Sequence, residues 1–126
     1  MSFRYLASPY MHPDADVRLN RFNEAVRCMH WLLYQRIWTF SPIVHGHSIA
    51  VQFGMPKDAQ FWTKFNEAIL EKADEMLILT LDGWEDSKGI RDEVAFCCRP
   101  ERQYYIPIRY ISPQAYTISL PDLPQP

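Results

Sequence analysis

The hydrophobic pattern is sharpest at residues 76–81, an apolar run broken only by Thr80 and flanked by Asp74, Glu75 and Asp82. Its length and polar flanks predict a fully buried strand. Gly83, Asp86, Ser87 and Gly89 mark a turn, after which Ile90, Val94 and Cys97 or Cys98 recur at the spacing of an amphipathic helix. In such a unit a polar loop sits at the carboxyl end of the strand. The helix N-terminus there offers unpaired N–H groups to an anion. Glu93, about one turn into the helix, can face the same crevice.

The flanking pattern extends this unit in both directions. Residues 3–7 read as a short strand stopped by Ser8-Pro9-Tyr10, since proline cannot donate to a ladder. A helix over 15–35 follows, with Val17, Phe22, Ala25, Val26, Met29, Leu32 and Leu33 as its buried stripe. A second strand at 37–40 is closed by Ser41-Pro42. Residues 43–53, with His45-Gly46-His47, show no clean period and read as an irregular loop. Asp58 is the expected N-cap of a helix reaching about residue 73, with Phe61, Phe65, Ala68 and Ile69 inward. Residues 104–108 give a fourth strand and 116–120 an edge strand.

Alternating strands and helices predict a three-layer α/β domain, flavodoxin-like or Rossmann-like, with a mainly parallel sheet of four to five strands. One domain spans residues 1–120, and a Pro-rich tail occupies 121–126. The loops after the first three strands converge on one sheet edge, where such folds bind ligands.

Composition narrows the function. The 126 residues carry a formal net charge of −2, which supplies no basic field for a nucleic-acid polymer. No apolar run approaches the roughly 18 residues of a membrane span, and the N-terminus has no signal-peptide pattern. Three cysteines, Cys28, Cys97 and Cys98, fit reduced thiols in a cytoplasmic protein better than a disulfide framework. Cys97 and Cys98 read as core residues of the last helix of the unit.

Glu93 is the strongest chemical candidate. A carboxylate over a crevice can attack the anomeric carbon of a sugar or act as a general base. Asp74, Asp82, Asp86 and Asp92 offer acid partners. The competing account is that these acids solvate a turn and complement a helix dipole. His45 and His47 follow the second strand and could hydrogen-bond a sugar or phosphate. As a metal pair they lack a third ligand at suitable spacing. Trp84, just before Asp86, could stack on a base or anchor an oligomer contact. Trp62 reads as packing its helix onto the sheet.

Three segments, residues 5–10, 73–79 and 86–95, together resemble the nucleoside 2-deoxyribosyltransferase superfamily. Within it the chain resembles a small bacterial and phage branch, the DUF1937-like proteins, over residues 3–110. The most specific match is Ser-x-Gly-[Ile/Val]-x-x-Glu, met by Ser87, Gly89, Ile90 and Glu93. That pattern is similar to nucleotide N-hydrolases, and the resemblance implies Ser87 on a 5′-phosphate and Glu93 as nucleophile. It further implies Asp74 and Asp86 near the base, assisting its protonation, and Tyr5 orienting the nucleophile. Where hydrolases of this group carry a glycine-rich turn after the first strand, this chain has Ser8-Pro9-Tyr10-Met11-His12-Pro13.

The expectation is cleavage or transfer of the N-glycosidic bond of a nucleoside or nucleoside 5′-monophosphate. Ser87, Gly89, Ser8, Tyr10, His45 and Trp84 would contact the ligand. No metal or organic cofactor is implied. A homodimer or larger homo-oligomer is expected, because Trp31, Trp38, Phe53, Phe61 and Trp84 exceed what one small core holds. The alternatives are a nucleotide-binding module without turnover and a glycohydrolase of a nicotinamide dinucleotide.

Overall fold

A computed structural model describes residues 2–56 and 59–119. Strands β1 (Arg4–Ala7), β2 (Thr39–Phe40), β3 (Glu75–Leu79) and β4 (Ile108–Ile111) form a parallel sheet in the order β2-β1-β3-β4. Tyr5 lies opposite Phe40 on one side and Met76 on the other, and Met76 lies opposite Ile108. The helices are α1 (Ala15–Tyr34), α2 (Pro42–Phe53), α3 (Ala59–Leu70), α4 (Lys88–Cys97) and α5 (Pro113–Ser119), with a 3-10 turn at Trp84–Asp86.

Strand alternation assigns the layers. Tyr5, Ala7, Met76 and Ile78 point to one face, where Leu70 of α3 and Ile90, Phe96 and Cys97 of α4 cover them. Leu6, Leu77 and Leu79 point to the other, against Cys28 and Leu32 of α1 and Tyr116 of α5. The run predicted as a central strand is therefore interior and buried on both faces, in a three-layer, flavodoxin-like α/β domain. Among the described residues no helix is long and apolar enough to cross a membrane.

Several expectations are corrected. Residues 43–53 are no loop but most of α2. Ser41 caps it by accepting from the Val44 N–H (3.1 Å), Pro42 starts it, and Gly54 ends it at φ +66°. Its buried positions are Pro42, Gly46 and Ala50, three small residues at helical spacing that leave no bulky apolar period to read. The fourth strand is displaced from 104–108 to Ile108–Ile111, because Pro107 lacks an N–H and serves only as acceptor for Met76. The expected edge strand at 116–120 is helical through residue 119. Pro113 opens α5, the Ser112 hydroxyl accepts from the Gln114 N–H (3.3 Å), and buried Tyr116 packs against α1. Leu120 and the tail lie outside the described residues, as does the expected N-cap Asp58.

Helix α3 is turned relative to expectation. Phe61, Phe65 and Ala68 are exposed, and only its last turn, Ile69 and Leu70, reaches the core. On α1, Val26 and Leu33 are likewise exposed, and Cys28 takes their place in the buried stripe.

Candidate active site

The chain leaves β1 toward β2 on one side and enters β3, then β4, on the other. The carboxyl ends of β1 and β3 thus flank the point where strand order reverses, the usual place for a ligand crevice. A cavity of about 930 Å³ opens there. Tyr5 and Ser8 come from β1 and its exit, with Tyr10 and Met11 just beyond. The loop after β3 and the start of α4 bring Asp86, Ser87, Lys88, Gly89, Asp92 and Glu93. Helices α2 and α3 close the opposite wall.

The Tyr5 hydroxyl donates to Glu93 Oε2. Burial raises the Tyr5 pKa, and the Glu93 charge raises it further, so the phenol remains protonated as donor. Glu93 itself is pushed up from 4.5 to about 7, chiefly by burial, with the Tyr5 hydrogen bond opposing and the Asp92 charge reinforcing the rise. A carboxyl titrating near neutrality suits a general base, and its ionised form can act as a nucleophile.

Ser87 is the N-cap of α4: its hydroxyl accepts from the Ile90 N–H (3.2 Å), and its carbonyl accepts from the Arg91 N–H (3.0 Å). Asp86 stands exposed at the rim, its carbonyl accepting from Arg91 (3.3 Å). Lys88 pairs with Asp92 one turn on (2.8 Å). Ser8 is 6% exposed, and its hydroxyl has no hydrogen-bond partner among the described residues.

Of the residues singled out by sequence, Glu93, Tyr5, Asp86, Ser87, Gly89, Ser8 and Tyr10 meet around this cavity. Asp74, His45 and Trp84 do not line it. Asp74 precedes the first residue of β3, its N–H bonded to the Phe3 carbonyl (2.9 Å). The length of the strand, about 16 Å at 3.3 Å per residue, separates it from the carboxyl edge. His45 is exposed on α2, stacked on Phe65 at 5.3 Å. Trp84 packs beside Tyr110 (5.6 Å) and onto the core.

Of the far wall, sequence reasoning reached only His47. His47 of α2 bonds the Tyr10 hydroxyl through Nδ1 and stacks on Phe22 of α1 at 4.2 Å. Trp62 lies across Gly46 and donates to the Pro56 carbonyl (2.9 Å), so it lines the cavity instead of packing α3 onto the sheet. Gln60, Thr63, Asn66 and Glu67 of α3 also face the cavity. Their i, i+3, i+6, i+7 spacing makes one polar helix face, a signal present in the sequence but passed over for the apolar positions Phe61, Phe65, Ala68 and Ile69. Among the described residues no three His, Cys, Asp or Glu side chains are grouped to hold a metal ion.

A family model described as a domain of unknown function (DUF1937) matches residues 3–106, and the chain belongs to that family. The matched span contains both Tyr5 and Glu93 and ends before β4. No curated protein matches the chain.

Proposed function

We propose that this protein cleaves or transfers the N-glycosidic bond of a nucleoside or nucleoside 5′-monophosphate, with Glu93 as nucleophile. The observation that carries this reading is the Tyr5–Glu93 hydrogen bond in a large cavity at the sheet's switch point. The ionised Glu93 oxygen attacks the anomeric carbon as the bond from that carbon to the base nitrogen breaks, giving a glycosyl ester. Tyr5 fixes one carboxylate oxygen through its hydrogen bond. Asp86, exposed at the rim, is the carboxyl to which this reading assigns the proton for the departing base. Asp74, at the opposite edge of the sheet, has no part in this scheme. Water, or a second base, then attacks the anomeric carbon, giving its proton to the Asp86 carboxylate, and the bond from that carbon to Glu93 breaks to release the carboxylate.

The chain's own groups suffice for these steps. The test is incubation with a panel of nucleosides and nucleotides, following free base by chromatography. The parent should release base from at least one member, and Glu93→Gln should lose that release by several orders of magnitude while remaining folded. Equal release by Glu93→Gln refutes the nucleophile. Binding by the parent without any release replaces the enzyme with a nucleotide-binding module.

A further inference from the structure

The charge and the buried polar groups of the cavity bear on which ligand it takes. We infer that the site accepts an uncharged nucleoside in preference to its 5′-monophosphate, with the Ser8 hydroxyl as a buried anchor for a neutral polar group of that ligand. This rests on the N-glycosidic reading above and settles a choice that reading leaves open.

The first observation is the sign of the lining. Glu67, Asp86, Asp92 and Glu93 contribute four carboxylates against one ammonium, Lys88. Glu67 is paired with Arg99 behind the lining (3.4 Å), which leaves a net charge of −4 + 1 + 1 = −2, or −1 when Glu93 holds its proton. Lys88 already sits 2.8 Å from Asp92 Oδ2. The N-terminus of α4 adds only about half a positive charge, too little to offset the carboxylates. A phosphate brings about −1.5 to −2 at neutral pH. It would enter a field of its own sign.

The second observation is Ser8. Its residue is 94% buried (6% exposed), it lines the cavity, and its oxygen has no partner within the described protein. Buried hydroxyls are nearly always satisfied, and a χ1 rotation that turns this covered one toward the cavity would let whatever fills the cavity complete it. A hydroxyl both donates and accepts, so it matches a sugar hydroxyl or a base amide without requiring charge.

The experiment is calorimetric titration of the Glu93→Gln protein, where turnover does not intrude, with matched nucleosides and 5′-monophosphates at two salt concentrations. The nucleoside should bind at least about tenfold more tightly at low salt, and the gap should narrow as salt screens the carboxylates. Adding Asp92→Asn should shift the ratio several-fold toward the monophosphate, by removing one carboxylate and releasing Lys88. Ser8→Ala should leave Tm unchanged or raised and weaken nucleoside binding about tenfold, the scale of one lost hydrogen bond. Monophosphates binding as tightly as nucleosides, or tighter, overturn the inference and leave the N-glycosidic reading intact. Ser8→Ala with unchanged affinity overturns the anchor, whether Tm falls or holds. If the parent and the Glu93→Gln protein bind neither class, the N-glycosidic reading itself fails and takes this inference with it.

Discussion

The Tyr5 hydroxyl and the Glu93 carboxylate meet across 88 positions of sequence, one from the second residue of β1 and the other from the second turn of α4. The hydrogen bond lowers the Glu93 pKa against the larger effect of burial. Tyr5→Phe removes the donor and little volume. We expect it to fold, to lower kcat/KM by about 10- to 100-fold, and to move the acid limb of the pH–rate profile above its starting point near 7. An acid limb that stays in place or moves down breaks the assigned role.

Glu93 also ties stability to pH. Its folded pKa of about 7 lies above its ordinary 4.5, so between these values the folded chain holds more protons than the unfolded one. The stability from this proton is fully present below about pH 4.5 and is lost as pH rises through about 7. Glu93→Gln escapes that loss. Urea unfolding should show the variant more stable than the parent at pH 8, by an amount of order 3 kcal/mol, with the difference shrinking toward pH 4.5. A difference independent of pH contradicts the assignment.

Arg21 joins the two loops that carry the site. Its Nη1 donates to the Met11 carbonyl (2.9 Å) and its Nη2 to the Asp82 carbonyl (3.2 Å). Gly83 sits at φ +87°, and a Cβ there would lie 2.6 Å from Arg21 Nη2. Gly83→Ala combines backbone strain of about 1–2 kcal/mol with displacement of this guanidinium. We expect lower urea resistance and weaker ligand binding together. A variant as stable as the parent, with parental affinity, removes the tie from the account.

The outward phenylalanines of α2 and α3 bear on assembly. Phe53 is 72% exposed and Phe61 50%, with Val51 and Phe65 beside them in sequence on the same two helices. Apolar surface of this kind marks contact sites. We expect a dimer or larger by light scattering at micromolar concentration, reduced toward monomer by Phe53→Ser with Phe61→Ser. A monomeric parent refutes the expectation.

Much of this was legible. The run at 76–81, the Ser8-Pro9 stop and the helical spacing of Ile90, Val94 and Cys97 suffice for the two central strands and for the Glu93 side of the cavity. The other side was hidden because its two helices break the usual pattern. Pro42, Gly46 and Ala50 are too small to form a visible apolar stripe. The polar face of α3 turns inward and its phenylalanines outward, inverting the rule that the apolar face seeks the core. The resemblance implies Asp74 beside the base, and the position after the second strand suggests His45 there, yet neither says which end of a strand, or which face of a helix, a side chain occupies.

The contact between Gly46 and Trp62 separates the width of the cavity from its chemistry. A Cβ at position 46 would lie 3.8 Å from the indole, an ordinary touching distance. Alanine therefore fits, whereas any longer side chain must push Trp62 and with it the wall formed by α3. Neither residue touches Tyr5 or Glu93 through a hydrogen bond. Exchange at these two positions would thus resize the cavity for larger or smaller ligands while leaving Glu93 where it is.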